Sequence, residues 1–445
     1  MRIAEAAPGI LAPGEGQGRQ KGGTGVAVFS EKGGDPWVFF EQARGNGKWL
    51  WQAQGHIASK VAEDGHQVAA VLRWMEAGLS AGHVMACAFS FELGHVLEPA
   101  LRAWRRPAWR RSMPLIWAAA FCRLQPVRAE ALKARVQGAL AGARRPSLFL
   151  RPSMDAAAHA WRHEAVQEAI AAGEVYQVNL TFPMRGRWDG SDRLRALALY
   201  LRLRGAQPAA FGAFLGFGPS PAGLGRIRRH AGAPGLPLAV LSFSPERLLQ
   251  RDGDKVVSTP MKGTIRRGRS PEEDRQLQSW LVRDEKNRAE NLMITDMVRN
   301  DLGRICRIGS VHAPALFRVE TLPTVHQMVS DVEGTLAGRV RLMPLLQALL
   351  PPASVTGAPK IGATRLISRL ETASRDIYCG AIGWLRRGRA GRLQGRLNVA
   401  IRTLVLHADG RARYDVGSGI VSDSMAGREY AECLLKARFL QGRPA

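Results

Sequence analysis

Two side chains in this sequence have the types and the setting for covalent and acid–base chemistry. Lys262 lies in a Ser-Thr-Pro-Met-Lys-Gly-Thr run at 258–264, after a strand-like stretch at 254–258 and before a Gly-Thr turn. Glu246 stands sixteen positions upstream in Ser244-Pro245-Glu246, on what reads as a neighbouring strand. A lysine amine attacks only when neutral, and a desolvated or cationic pocket lowers its pKa enough to populate that form. A glutamate beside it can give or take a proton. The alternative reading is a solvated surface lysine.

Other residues have chemical potential by spacing. Glu429, Glu432 and Lys436 recur at i, i+3 and i+7 on an expected helix that begins after Asp423-Ser424, an N-cap pair by type. They flank an apolar stripe of Tyr430, Cys433, Leu434, Ala437 and Leu440. That row is either a site wall or an exposed ion-pair ladder. Just before it, Gly417 and Gly419 permit close backbone approach to a ligand. Glu290 opens an expected helix at 288–302. Separated glutamates completed by water suit Mg²⁺, whereas no histidine or cysteine cluster points to zinc. Thr356 and Gly357, ahead of an expected helix at 360–371, offer donors to an anion or simply cap the helix. Arg402 and Lys436 are carboxylate clamps by type. His326 is a proton donor or a core histidine, and spacing does not decide.

The elements that must position these groups are only partly legible. Strand-like runs fall at 26–29, 37–40, 84–91 and 115–121, with helices at 68–77 and 129–140 and a connection at 144–154. A helix at 157–172 stops at Gly173. A strand at 175–182 then sets Gln177, Asn179 and Thr181 on one face. That polar face either meets solvent, the ordinary case, or lines a site. Ser270-Pro271 followed by acids starts another helix, and 397–406 reads as one strand with Asn398, Ala400 and Arg402 on a face. Residues 1–22 read as a disordered tail, 23–150 as an N-terminal subdomain and 151–445 as the catalytic region.

The 445 residues suffice for one large domain or two to three ordinary ones, and a 46% apolar content excludes wholesale disorder. The net charge of +25 raises nucleic acid, an anionic membrane or a small anionic substrate as partners. Its densest patch interleaves Arg102, Arg105, Arg106, Arg110 and Arg111 with Trp104 and Trp109, which suits base stacking or a plain solvated face. Five scattered cysteines form no CxxC, so the expectation is a reduced, cytoplasmic protein without a disulfide framework. No signal-peptide pattern or membrane span is present, and GxGxxG after a strand, GxxxxGK[ST] and HExxH are all missing.

In order along the chain, these segments resemble the chorismate-utilising enzymes, and within them the aminodeoxychorismate synthase component I branch. The resemblance rests on the motifs at 173–180, 244–246, 260–264, 286–293, 299–304, 324–326, 354–360, 378–383, 401–403, 417–421 and 429–432. It covers 155–445 strongly and is weak at 90–99. It implies an α/β fold of two orthogonal antiparallel β-sheets flanked by helices in four layers, as in anthranilate synthase component I. It implies chorismate as substrate and Mg²⁺ as cofactor. Glu290 and Glu432 then match direct metal ligands and Glu429 a water-mediated one. Tyr378, Arg402, Lys436, Gly417 and Gly419 match substrate contacts, with Thr264, Thr356 and Gly357 in the binding set and His326 in the catalytic one.

Two positions choose among branches of that family. Anthranilate synthases usually carry Ala where this chain has Lys262; the aminodeoxychorismate branch carries Lys, with Glu246 as the matching acid. Water-adding isochorismate and salicylate synthases carry Lys where this chain has Gln177. Departures include Pro352-Ala353 for a Gly-Gly pair, Ser418 for a smaller residue, and Gln327 where His is common. The resemblance implies amination of chorismate at C4, an amino-group transfer in p-aminobenzoate and folate synthesis. Ammonia would come from a separate glutamine amidotransferase subunit, since no such element reads in this sequence. Competing readings are anthranilate synthase component I, a dual-product aminase, and a nucleic-acid-binding protein using the basic surface.

Overall fold

The computed structural model describes residues 34–42, 47–107, 111–217, 236–322, 325–388 and 391–441. The expected tail at 1–22, the run at 26–29, Trp109, Arg110 and Thr324 lie outside the described residues.

The first part of the chain forms β1 (Trp37–Glu41), β2 (Trp49–Ala62), α1 (Gly65–Ser80), β3 (Val84–Phe89), α2 (Leu93–Leu97), β4 (Ile116–Arg128) and α3 (Ala129–Ala139). Then come β5 (Leu148–Pro152), α4 (Ala156–Ala171), β6 (Gln177–Trp188), α5 (Arg193–Ala206), β7 (Ala213–Gly216), β8 (Ala239–Ser242), β9 (Arg247–Asp252), β10 (Lys255–Thr259) and β11 (Met261–Arg266). The chain continues through α6 (Pro271–Arg283), α7 (Glu285–Gly303), β12 (His312–Thr321), β13 (Val325–Thr335), α8 (Leu342–Leu349), β14 (Gly357–Ala358) and α9 (Lys360–Leu370). It closes with β15 (Ala381–Arg387), β16 (Leu393–Val399), β17 (Thr403–Leu406), β18 (Arg411–Ile420) and α10 (Ala426–Leu435).

The fold is α/β, with helices flanking strands whose pairings are all antiparallel. Strands far apart in sequence pair: β3 joins β15, β1 joins β7, and β18 joins β6. Local sequence explains many element ends. The Asp64 carboxylate accepts from the backbone N–H of His66 and caps α1, whose Val68, Val71, Leu72, Met75 and Leu79 form the buried stripe. Asp155 caps α4, and Gly173 leaves it at φ +73°. Ser270 caps α6 with Pro271 in its first turn.

Four buried apolar clusters grip the sheet among the described residues, and two of them are the largest. One packs α1, α7 and α8 through Met75, Ile294, Leu345 and Leu349; the other gathers Phe182, Tyr200, Phe214, Phe243, Tyr414 and Phe439. Each such buried side chain contributes about 1.5–3 kcal/mol of transfer free energy.

Three sequence expectations are corrected. The 144–154 connection contains β5, which pairs with β6. The 14-residue β2 was missed because Gly55, at φ +68°, and polar outward residues break its alternation. The expected strand at 397–406 is broken into β16 and β17, and Arg402 sits in the break at φ +51°.

Candidate active site

The β6–β18 ribbon is the floor of the site. Its ten-residue register sets Gly419 opposite Asn179 and Gly417 opposite Thr181. The ordinary expectation that the polar face of β6 meets solvent is wrong: Gln177, Asn179 and Thr181 are 0%, 8% and 5% exposed. Thr181 is satisfied through its N–H and hydroxyl, both donating to the Glu371 carboxylate at 2.9 Å. Asn179 donates to the Ser354 carbonyl at 3.2 Å. Gln177 is different, because neither its amide oxygen nor its nitrogen has a partner among the described residues. A buried amide left unpaired is costly, so this one calls for an explanation.

Gly419 explains why small residues are needed here. A β-carbon on it would lie 2.5 Å from Gln177 Nε2, 2.6 Å from Lys262 Nζ and 3.1 Å from Asn179 Oδ1. Three polar side-chain ends therefore converge on one backbone position.

Lys262 reaches that point from β11. The Gly-Thr that follows it is no turn but an irregularity within the strand, where the β11–β13 register shifts between Met261 and Thr264. Gly263 takes φ +88° there, which a residue with a β-carbon rarely adopts. Burial pushes the Lys262 pKa below the ordinary lysine value, with Glu290 opposing and Lys436 assisting. Glu246 lies just before β9, 4% exposed, with its N–H donating to Ser244 Oγ. Burial raises its pKa to about 7, against a hydrogen bond from Ser354 and the charge of Lys262. An acid that is half protonated near neutrality thus shares a field with a weakened lysine base.

The acidic wall comes from two helices. Helix α7 starts at Glu285 with Asp284 as its cap, so Glu290 stands in its second turn and does not open it. Glu290 is half-buried, and burial raises its pKa, opposed by Lys262 and Lys286 and reinforced by Glu429 and Asp423. On α10, Glu432 pairs with Lys436 at 2.7 Å, and the Lys436 ammonium also donates to the Gly417 carbonyl at 2.7 Å. Burial, the largest influence, works to raise the Glu432 pKa, but the charge and hydrogen bond of Lys436 together with the charges of Lys262 and Arg402 make the net shift downward. Asp423 and Ser424 do not cap α10; Met425 holds that position without a side-chain bond. Ser424 instead donates to the Glu429 carboxylate at 2.8 Å.

Among the described residues, no three His, Cys, Asp or Glu side chains stand close enough to hold a metal ion by themselves. The residues nevertheless fit Mg²⁺, which keeps several waters and takes one or two carboxylates. The donors are oxygens, and Glu290 is a partly buried carboxylate beside other acids.

The remaining predicted residues divide. Arg402, in its left-handed conformation, carries charge toward Glu432, and Gly417 packs against Thr181. Such a backbone conformation for a non-glycine residue is typical of sites that need a specific side-chain aim. Tyr378 is buried in the turn before β15. Thr356 has its hydroxyl donating to the Pro352 carbonyl and its N–H to Ala353, so neither donor is left for an anion. Gly357, at φ +136°, lets β14 lie against Gln177, where a β-carbon would strike the Gln177 carbonyl. Thr264 is exposed and donates to Gln327 Oε1 at 2.8 Å. His326 is not brought to the site: at 1% exposure, its Nε2 pairs with Asp274 at 2.9 Å and its Nδ1 with Thr321 at 3.0 Å. Both ring nitrogens are engaged, which gives it the core role rather than that of proton donor.

The local reading missed several supporting residues. Asn291 donates to the Lys262 carbonyl at 3.3 Å and accepts from Ser330 at 2.5 Å. Arg375, 2% exposed, pairs with Glu371 at 2.7 Å and donates to the carbonyls of Asn179 and Val355. The signal for Asn291 was its place beside Glu290; Arg375 and Glu371, four residues apart, resemble an ordinary helical surface pair.

The family model described as chorismate binding enzyme matches residues 37–442, and the chain belongs to that family. It is 41% identical over 270 residues to a probable chloroplastic aminodeoxychorismate synthase of Oryza sativa subsp. japonica, covering 60% of this chain and 28% of that protein. It is 39% identical over 267 residues to aminodeoxychorismate synthase component 1 of Salmonella typhimurium, covering 60% and 53%. Anthranilate synthase component 1 of Thermus thermophilus is 37% identical over 282 residues, covering 62% and 55%. The aligned region thus spans about a quarter to a little over half of these relatives. The crystal structure of anthranilate synthase component I from Streptococcus pneumoniae superposes with a TM-score of 0.65 at 23% identity, covering 95% of each chain, and so shares the fold.

Proposed function

We propose that this protein aminates chorismate at C4 to give 4-amino-4-deoxychorismate. The single observation that carries the reading is the convergence of Lys262, with its lowered pKa, and an unpaired Gln177 amide on Gly419. Family membership supports chorismate as the ligand, and the relatives named aminodeoxychorismate synthase support the product.

In this reading the neutral amine of Lys262 forms a bond to C2 of chorismate while the ring double bonds shift and the C4–O bond breaks. Glu246 donates its proton to the departing hydroxyl, which leaves as water. Ammonia then bonds to C4, the double bonds shift back, and the C2–N bond to Lys262 breaks, returning the amine. One nitrogen enters and one water leaves. Gln177 is neutral, so it can hold substrate but cannot deprotonate a water for attack. Arg402, Lys436, Tyr378 and the Gly417 and Gly419 backbone are assigned to the substrate carboxylates and ring. Glu290 and Glu432 would hold Mg²⁺, with Glu429 acting through water. When bound, Mg²⁺ supplies charge neutralisation for the ring carboxylate against this acidic wall.

The ammonia source in this reading is a glutamine amidotransferase subunit, a proposal supported by the component 1 in the Salmonella relative's name. Cytoplasmic residence is likewise proposed; among the described residues no helix is long and apolar enough to cross a membrane. The competing reading is anthranilate formation, which the Thermus relative favours. Mass identification of the product from chorismate, Mg²⁺ and ammonium decides between them. 4-Amino-4-deoxychorismate supports the assignment, and anthranilate as sole product refutes it.

A further inference from the structure

We propose that Lys286 and Asp423 form a positioning strap that ties the turn before α10 to α7 and thereby sets the aim of Glu429 relative to Glu290. The inference rests on the chorismate–Mg²⁺ reading of the site. Lys286 Nζ meets Asp423 Oδ2 at 2.8 Å, joining residues 137 apart in sequence. On the α7 side, Lys286 precedes Glu290 by four residues, so the two lie on one helical face. On the α10 side, Asp423 belongs to a tight turn. The Ser424 N–H donates to the Val421 carbonyl at 3.0 Å, and the Val421 N–H donates to Ser424 Oγ at 3.1 Å.

That turn is fastened to three helices. Gln167 of α4 donates to the Val421 carbonyl at 2.8 Å, Lys286 of α7 holds Asp423, and the Ser424 hydroxyl holds Glu429 of α10 at 2.8 Å. Of these three fastenings, the Lys286–Asp423 pair alone ties the turn to α7. Both side chains are about half exposed, at 52% and 60%. The pair is therefore an adjustable tether rather than a rigid buried bridge. Its effect is geometric: without it, the turn carrying Ser424, and hence the aim of Glu429, no longer follows α7.

The test uses the full chain as Lys286→Ala, Asp423→Ala and the charge-exchanged pair Lys286→Asp with Asp423→Lys. Amide hydrogen exchange across 421–430 and the Mg²⁺ concentration for half-maximal turnover are both read. Both single variants should exchange faster in that segment. Asp423→Ala, which also removes a negative charge near Glu290, should need up to about fivefold more Mg²⁺, the scale of an exposed ion pair. Lys286→Ala should need less extra Mg²⁺ than Asp423→Ala, because it removes a competing cation. Turnover at saturating Mg²⁺ should fall less than that, and the exchanged pair should recover slow exchange toward wild type. Exchange equal to wild type in the single variants, an unchanged Mg²⁺ requirement in Asp423→Ala, or an exchanged pair whose segment exchanges as fast as in the singles each overturns the strap. A wild-type protein without Mg²⁺-dependent turnover would refute the reading of the site itself. The hydrogen-exchange arm still decides, in that case, whether the tether exists.

Discussion

The side-chain nitrogen of Lys262 lies 2.6 Å from where a β-carbon on Gly419 would sit. The other nearest atom, Gln177 Nε2, is also the far end of a flexible side chain. Gly419→Ala should therefore leave the fold almost untouched while displacing both ends. We expect kcat/KM to fall about 10²-fold, the scale of a 1 Å misplacement, with little change in Tm. Parallel kinetics and thermal unfolding check this, and a variant with near-wild-type activity would contradict it.

Glu246 makes a prediction in pH. Its folded pKa of about 7 is raised by burial above the unfolded value, so the folded state binds the proton more tightly. That contribution to stability is complete below about pH 4.3, the ordinary value for a free Glu side chain, and is lost as pH rises through about 7. Glu246→Gln cannot ionise, so its Tm relative to wild type should improve between pH 5 and pH 8. Turnover should fall about 10²–10⁴-fold, and the alkaline decline of wild-type kcat/KM near pH 7 should vanish in the residual activity. A pH-independent Tm difference would refute the buried-acid assignment.

His326 is locked between Asp274 and Thr321. His326→Gln should lower Tm while leaving kcat within about tenfold, well short of the 10²–10⁴-fold that a lost general acid or base costs. A loss on that larger scale in a folded variant would restore the histidine as a proton donor.

Beneath the site, Glu371 and Arg375 are a buried pair, 4% and 2% exposed. Glu371→Ala would strand the Arg375 guanidinium, with an expected cost of about 3–5 kcal/mol. Denaturant unfolding measures it, and a loss below about 1 kcal/mol would show that the pair is not the support drawn here.

Much of this was legible in sequence because the chemistry sits in short ordered motifs. Lys262, Glu246, Glu290 and the Gly417–Gly419 pair could be singled out from residue type and neighbours, and Gln177 from the family resemblance. Their convergence could not, because it depends on the β6–β18 register and on the break at Arg402, both long-range properties. The polar face of β6 was misjudged because the burying groups, Glu371 and Arg375, lie almost two hundred residues away. Asp423-Ser424 looked like a helix cap because that is their usual work, and only the approach of Lys286 and Glu429 gives them another.

The most direct test of the central claim is the rate of 4-amino-4-deoxychorismate formation by Lys262→Ala from chorismate, Mg²⁺ and ammonium. If Lys262 attacks C2, a folded variant should lose at least about 10³-fold relative to wild type, as removal of a covalent nucleophile requires. Formation of the same product within tenfold of the wild-type rate would contradict the account.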